Sequence, residues 1–328
     1  MLIQFALIST MVFYQSIRVP PLWIGWNNWW DIVKRKIDRI IQFLMFSSLF
    51  VGIAGGGMVY VAAIIQNVEC SPVCIVIMIL LGFSVYNLNR KTDEAEDAIN
   101  RQDRFQFTKR YEKYLYSSAL AGYGLAILLA GLNGLYAFLI VLIPLVSGIL
   151  YSIPCLPPAT GYHRLKEIPL VKNLVVGIAW GTTLTFIPLA VSHSPLNLAS
   201  VISLLFFSTY AFIASTLPDI RDKEGDEQSG IRTIPVVIGV ERTLILVTSL
   251  NILIGCIAVI LSSIYLTVSV AILIAVSMVY LHMCIRSFTR VKRKDLICDI
   301  LTDGQFLIIG LVVYGAGTLV SSLTYTPF

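Results

Sequence analysis

Long apolar runs alternate with polar stretches along almost the whole chain. Nine runs, at about 41–66, 72–88, 115–132, 134–152, 170–191, 197–217, 237–262, 264–286 and 301–323, approach the ~20 residues that a bilayer core demands. A half-buried strand alternates over a handful of residues, whereas these runs stay apolar throughout. The pattern therefore predicts membrane-spanning helices that satisfy their backbone polar groups internally. The connections also alternate in character. Those at 67–71, around Asn133, at 192–196 and around Ser263 are very short and hold a single charge, Glu69. Those at 89–114, 153–169, 218–236 and 287–300 are longer and charged.

Composition agrees with this reading, since 57% of the 328 residues are hydrophobic and only 13% charged, against about 25% charged in soluble domains. The formal charge of +5 does not point to nucleic acid, because the basic residues sit in short loops where lipid headgroups and topology account for them. All 24 Lys and Arg fall in or beside the N-terminal segment and the longer loops. The positive-inside rule makes that face cytosolic, with the N-terminus inside and the C-terminus outside. Two domains are expected. Residues 1–40 form an interfacial segment in which WIGWNNWWDIVKRKIDRI reads as an amphipathic helix on the cytosolic leaflet, and residues 41–323 form the nine-span body. Met1 to Tyr14 has no basic residue ahead of its apolar core and makes a poor signal peptide. Six scattered cysteines, with no CxxC pair, indicate neither a zinc site nor a disulfide framework.

The chemistry concentrates in two charged loops. In YNLNRKTDEAEDAINRQDRF, Asn89, Asp93 and Asp97 recur every four residues. On a helix such residues drift by only about 40° per step and line one stripe, with Glu94 and Glu96 pointing elsewhere. One amide and two carboxylates on a stripe can ligate a hard cation through oxygen, although an acidic helix in a loop is more often plain surface. In TLPDIRDKEGDEQSGIRTIPV, Asp219, Asp222 and Asp226 are expected around one short turn, with Gly225 and Gly230 allowing a bend. Clustered carboxylates repel one another, and a divalent cation bridging them to a diphosphate relieves the repulsion. Six ligands in two clusters suit two Mg²⁺ ions.

The Asn89/Asp93/Asp97 motif, the DKEGDEQSGIRTIPV segment and the nine-span layout resemble the UbiA superfamily of intramembrane prenyltransferases. The resemblance covers nearly the whole chain from about residue 35. It implies an all-α fold, a polytopic membrane protein with about nine helices bundled around a central cavity and capped by helical cytosolic loops. It also implies Mg²⁺-dependent transfer of an isoprenyl group from an isoprenyl diphosphate to a lipophilic or aromatic acceptor. By the resemblance, the first motif and Asp222 and Asp226, followed by Gly230 and Thr233, hold Mg²⁺ and donor. Asp219 matches an acidic position present in some members. YSIPCLPPATGYHRLKEIPLVKN resembles a third family element and brings Tyr151, Ser152, Lys166 and Asn173 to the substrate. Lys166 would neutralise phosphate oxygens, with Lys172, Arg101 and Arg104 as competitors for that role.

An allylic cation needs electron-rich surroundings, and Tyr86, Tyr151 and Tyr210 lie near cytosolic helix ends, where interface aromatics are also common. Two rival classes are less compatible. A CDP-alcohol phosphotransferase needs DG and AR at positions where neither occurs, and a cation transporter places its acids near the midplane. The acceptor is open: an aromatic quinone precursor, a glycerophosphate ether precursor, a tetrapyrrole or a polyene. Asn89-Arg90 replaces the NDxxD opening of quinone-type members.

Overall fold

Apolar stretches fold into helices here because no strand length or alternation competes with them, and Gly, Ser and Asn punctuate their ends. A computed structural model describes residues 24–152, 164–290 and 294–324, and all regular structure in these is helical. The elements are α1 (Ile24–Phe46), α2 (Leu49–Gln66), α3 (Pro72–Thr92), α4 (Glu94–Asn100), α5 (Gln102–Arg110), α6 (Glu112–Leu132) and α7 (Leu135–Ser152). After a 3₁₀ turn at Leu165–Glu167 come α8 (Val171–Val191), α9 (Leu198–Gln228), α10 (Ile234–Ile238), α11 (Val240–Tyr265) and α12 (Val268–Ser287). A short turn at Lys294–Leu296 and a π-helical turn at Ile297–Leu301 lead into α13 (Thr302–Thr324).

Eight of the described helices are long and apolar enough to cross a membrane, and Leu135–Leu150 of α7 is a shorter apolar helix. The protein is thus an integral, multi-pass membrane protein, and the nine runs of the sequence correspond to these helices with shifted edges. The first differs most: residues 41–46 belong to α1, and α2 begins only after Ser48, whose left-handed backbone (φ 62°) breaks the run. Residues Met1–Phe43 and Leu44–Phe328 form separate compact units. Within the first, α1 carries the Lys34, Arg35, Lys36 and Arg39 bases together with exposed Ile32, Ile37, Ile40 and Phe43. Residues before Ile24, including the Met1–Tyr14 stretch, lie outside the described residues.

Inside the second unit, lipid tails provide no hydrophobic incentive for helices to associate, so close backbone approach supplies the packing. α8 and α9 show how. A Cβ on Gly181 would stand 2.1 Å from Ser208 Oγ, and one on Gly177 2.9 Å from Ser208 O. These glycines let two helices that carry site residues run side by side. At the other flank, Gly57 of α2 meets the Phe306 backbone of α13, where a Cβ would lie 3.0 Å away.

Candidate active site

At one end of the bundle, α3, α4, α5, α8, α9 and the lead-in to α13 line an open cavity. Asn89, Asp93 and Asp97 line one side, and Asp219, Asp222 and Asp226 line the other. The two acid-rich segments of the sequence therefore form one site.

Their local structures depart from the expected ones. The first motif is not a continuous helix: α3 ends at Thr92, Asp93 caps it with φ −108° and ψ 19°, and α4 begins afterwards. The backbone bonds from Asp93 N to Asn89 O (3.0 Å) and from Asp97 N to Asp93 O (2.9 Å) keep the four-residue spacing across the break, so the stripe survives. Glu96, expected to face away, lines the cavity. Glu94 does face away and pairs with Lys109. Lys109 is exposed, and its hydrogen bonds to Glu94 and Glu112 raise its ammonium pKa.

The second motif is no turn at all. α9 runs straight through it to Gln228, longer than a bilayer requires, and carries Asp219, Asp222 and Asp226 on its extension. Gly225 does not bend this helix. It admits Asn100 of α4, whose Oδ1 would lie 1.6 Å from a Cβ there. Asn100 then donates a hydrogen bond to Asp226 Oδ1 at 3.0 Å, joining the two halves of the site. Gly230, with φ 72°, turns the chain after the helix.

Basic and amide groups hold the carboxylates apart. Lys172 Nζ lies 2.7 Å from Asp219 Oδ1, and Asn173 donates to Asp219 Oδ2 (3.0 Å) and to Ser215 (3.2 Å). Arg104 pairs with Asp97. Arg221 forks onto both oxygens of Asp222 at 2.7 and 2.6 Å and reaches Asp299 at 3.2 Å. Arg101 takes the other oxygen of Asp299 at 2.8 Å, so it braces the rim and does not line the cavity. Arg104 does line it and keeps a buried Nε with no partner. Lys166 lies in the 3₁₀ turn and Tyr151 in α7, and their side chains are outside the described residues.

Arg90, which replaces the aspartate of an NDxxD opening, donates to the carbonyls of Phe46 and, at 3.2 Å, Met45. It ties down the chain entering α2, helped by Asn87, which donates to Ser47 O at 2.9 Å.

The cavity changes character inward. It shares Val51, Tyr86, Val176, Trp180, Ala214, Ser215 and Asp303 with an inner apolar chamber that continues past Met58, Met78 and Leu184. Tyr86 stacks on Trp180 with ring centroids 6.0 Å apart. Tyr210 lines this inner chamber. Sequence reasoning missed Asp299, Asp303, Trp180, Asn100 and Arg221. The signal for the two acids was present: charges four residues apart in CDILTDGQF interrupt an otherwise apolar end of the chain, and such residues carry a functional presumption.

Among the described residues no three His, Cys, Asp or Glu converge as a ready metal cage. The donor set still fits Mg²⁺, which takes one or two carboxylates and completes its octahedron with water and phosphate oxygen. All the donors are hard oxygens, and each cluster offers carboxylates on the cavity wall.

These features define a class: a polytopic helical membrane protein with an anion-and-cation site at one end, opening into an apolar chamber. Residues 48–298 match the model of the UbiA prenyltransferase family, and the chain belongs to that family. It is similar to digeranylgeranylglyceryl phosphate synthase of Natronomonas pharaonis, 28% identical over 200 residues that cover 58% of this chain and 67% of the relative. The enzyme of the same name from Thermococcus kodakarensis is 28% identical over 176 residues, 52% of this chain and 58% of that protein. The match thus spans about three-fifths to two-thirds of these relatives' lengths. In fold, the chain resembles a UbiA homologue from Aeropyrum pernix K1 (TM-score 0.62, 16% identity, 80% of this chain and 97% of that one). It also resembles one from Archaeoglobus fulgidus bound to GPP and Mg²⁺ (TM-score 0.58, 15% identity, 82% and 99%).

Proposed function

We propose that this protein transfers an isoprenyl group from an isoprenyl diphosphate to a lipophilic acceptor and releases pyrophosphate. The observation that carries this reading is the graded cavity: two opposed carboxylate clusters with Lys172 and Arg104 at its mouth, and an aromatic and apolar chamber behind them. A prenyl diphosphate has the same gradient, a charged head on a greasy tail. The mouth faces the cytosol, with the N-terminus inside and the C-terminus outside, by the one-sided distribution of Lys and Arg. The catalytic domain extends over about 41–323, with 1–40 as the interfacial anchor.

Asp93 and Asp97, supported by Asn89, and Asp222 and Asp226, supported by Asp219, would hold two Mg²⁺ ions. When bound, Mg²⁺ would neutralise the charge gathering on the departing pyrophosphate. Lys172, held by Asp219, and the free Nε edge of Arg104 offer donors to phosphate oxygens and assist the same departure. Lys166 belongs to the same cationic rim by the family pattern. Asn173 fixes Asp219 and thereby Lys172. Tyr86 and Trp180 present ring faces that favour an allylic cation and exclude water from it.

The relatives' name describes a glyceryl phosphate bearing two geranylgeranyl groups. Making it by prenyl transfer requires geranylgeranyl diphosphate and a singly substituted glyceryl phosphate with a free hydroxyl, and we assign this pair as donor and acceptor. The test measures transfer from radiolabelled geranylgeranyl diphosphate in membranes. Asp97→Ala and Asp226→Ala each abolish transfer while the protein remains folded, and turnover retained in either variant sinks the two-cluster reading.

A further inference from the structure

Asp303 belongs to neither acidic motif, and its surroundings differ from those of most acids of the site; Asp226, held by Asn100, likewise forms no ion pair among the described residues. Asp97, Asp219, Asp222 and Asp299 each pair with a lysine or arginine. Among the described residues, Asp303 meets no cation, and its hydrogen bond comes from Tyr210, whose hydroxyl lies 2.7 Å from Asp303 Oδ1 and 2.9 Å from Thr302 O. Tyr210 is itself fixed edge-on by Phe306, with centroids 4.7 Å apart. A half-buried carboxylate beside aromatic rings with no cation to balance it is costly, and it persists where the group has work to do.

Its position indicates that work. Asp303 lines both the polar cavity and the apolar chamber, so it sits at the seam between them. A prenyl diphosphate with its head among the acidic motifs and its tail in the chamber places its reacting C–O bond at that seam. The acidic motifs and their cations account for the diphosphate, yet none of them lines the chamber side of that seam, where the incoming nucleophile must lose a proton.

We propose that Asp303 is the catalytic base of the acceptor half of the reaction, binding the acceptor's hydroxyl and taking its proton; this rests on the prenyl-transfer reading above. The acceptor's O–H bond breaks, and the proton passes to the Asp303 carboxylate. The oxygen's electron pair forms the bond to the allylic carbon. The bond from that carbon to the diphosphate oxygen breaks, and its pair leaves on pyrophosphate. Tyr210 orients the carboxylate, and the open cavity returns the proton to water.

The experiment uses the full chain in lipid nanodiscs with Mg²⁺, geranylgeranyl diphosphate and geranylgeranylglyceryl phosphate. Asp303→Asn lowers kcat for transfer about a hundredfold, while donor affinity and the slow release of pyrophosphate into water without acceptor stay within about twofold of the original. Asp303→Glu restores part of the lost kcat. A thiol analogue of the acceptor, which ionises without help, narrows the deficit of Asp303→Asn to about tenfold. Transfer by Asp303→Asn within about threefold of the original overturns the proposal. Loss of donor binding together with transfer also overturns it, because the residue would then serve the donor or the fold. If the unaltered protein neither binds the donor nor releases pyrophosphate, the prenyl-transfer reading fails first, a result distinct from either of these.

Discussion

The two acidic motifs present similar side chains to one cavity from opposite kinds of backbone. Asp219, Asp222 and Asp226 project from the end of a single 31-residue helix, α9, whose packing against α8 is close enough to exclude a Cβ at Gly181. Asn89, Asp93 and Asp97 straddle a break between α3 and the seven-residue α4. The second motif is therefore a fixed wall, with Asn173 and Lys172 of the neighbouring helix bracing Asp219. The first is a wall built across a helix break and tied to the other through Asn100 and Asp226.

The largest expected effect removes one carboxylate from either wall. Asp226→Asn or Asp97→Asn lowers transfer about a thousandfold or more, read by labelled product in membranes. Equal losses from both sides would show that neither wall suffices.

Gly225→Ala separates the walls without touching a carboxylate. The added methyl meets the Asn100 amide at a distance no real contact tolerates, so that side chain must swing away and the Asn100–Asp226 bond breaks. We expect a cost of about 1–3 kcal/mol in stability and a ten- to hundredfold increase, in rough terms, in the Mg²⁺ needed for half-maximal activity. Thermal melting in detergent and Mg²⁺ titration check the two parts. An unchanged Mg²⁺ requirement would mean that the walls act independently.

Loosening the fixed wall is milder. Asn173→Ala removes the donors to Asp219 and Ser215 and costs about 1–3 kcal/mol, with transfer down about tenfold, since Lys172 still holds Asp219. A larger loss than for Gly225→Ala would reverse the ranking of the two walls.

The smallest effect is expected outside the cavity. Lys109→Ala breaks exposed pairs with Glu94 and Glu112, and activity stays within about twofold because surface ion pairs contribute little. A strong effect would make the outer face of α4 part of the mechanism.

The apolar runs determined the helices, because a continuous stretch of ~20 apolar residues has few other stable states in a bilayer. Likewise, the spacing of Asn89, Asp93 and Asp97 determined their shared stripe, since a four-residue repeat survives even a helix break when the i to i−4 bonds persist. The opposed clusters were legible because both fall in the longer charged connections between apolar runs. What remained for tertiary structure was everything that depends on partners distant in sequence. Glycines at 225 and 230 suggested a bend, but a glycine in sequence does not say whether it frees a turn or admits a neighbour, and the approach of Asn100 decided for Gly225. Lys172 is only a competitor to Lys166 in sequence, and it is the fold of α8 that sets Lys172 beside Asp219, the Lys166 side chain lying outside the described residues. Asp299 and Asp303 read as the edge of an apolar run; only the packing of α9 against the start of α13 brought Arg221 to one and Tyr210 to the other. Local pattern fixes which faces are apolar and where charges recur, whereas the electrostatic environment of a carboxylate is set by whichever helix the fold places against it.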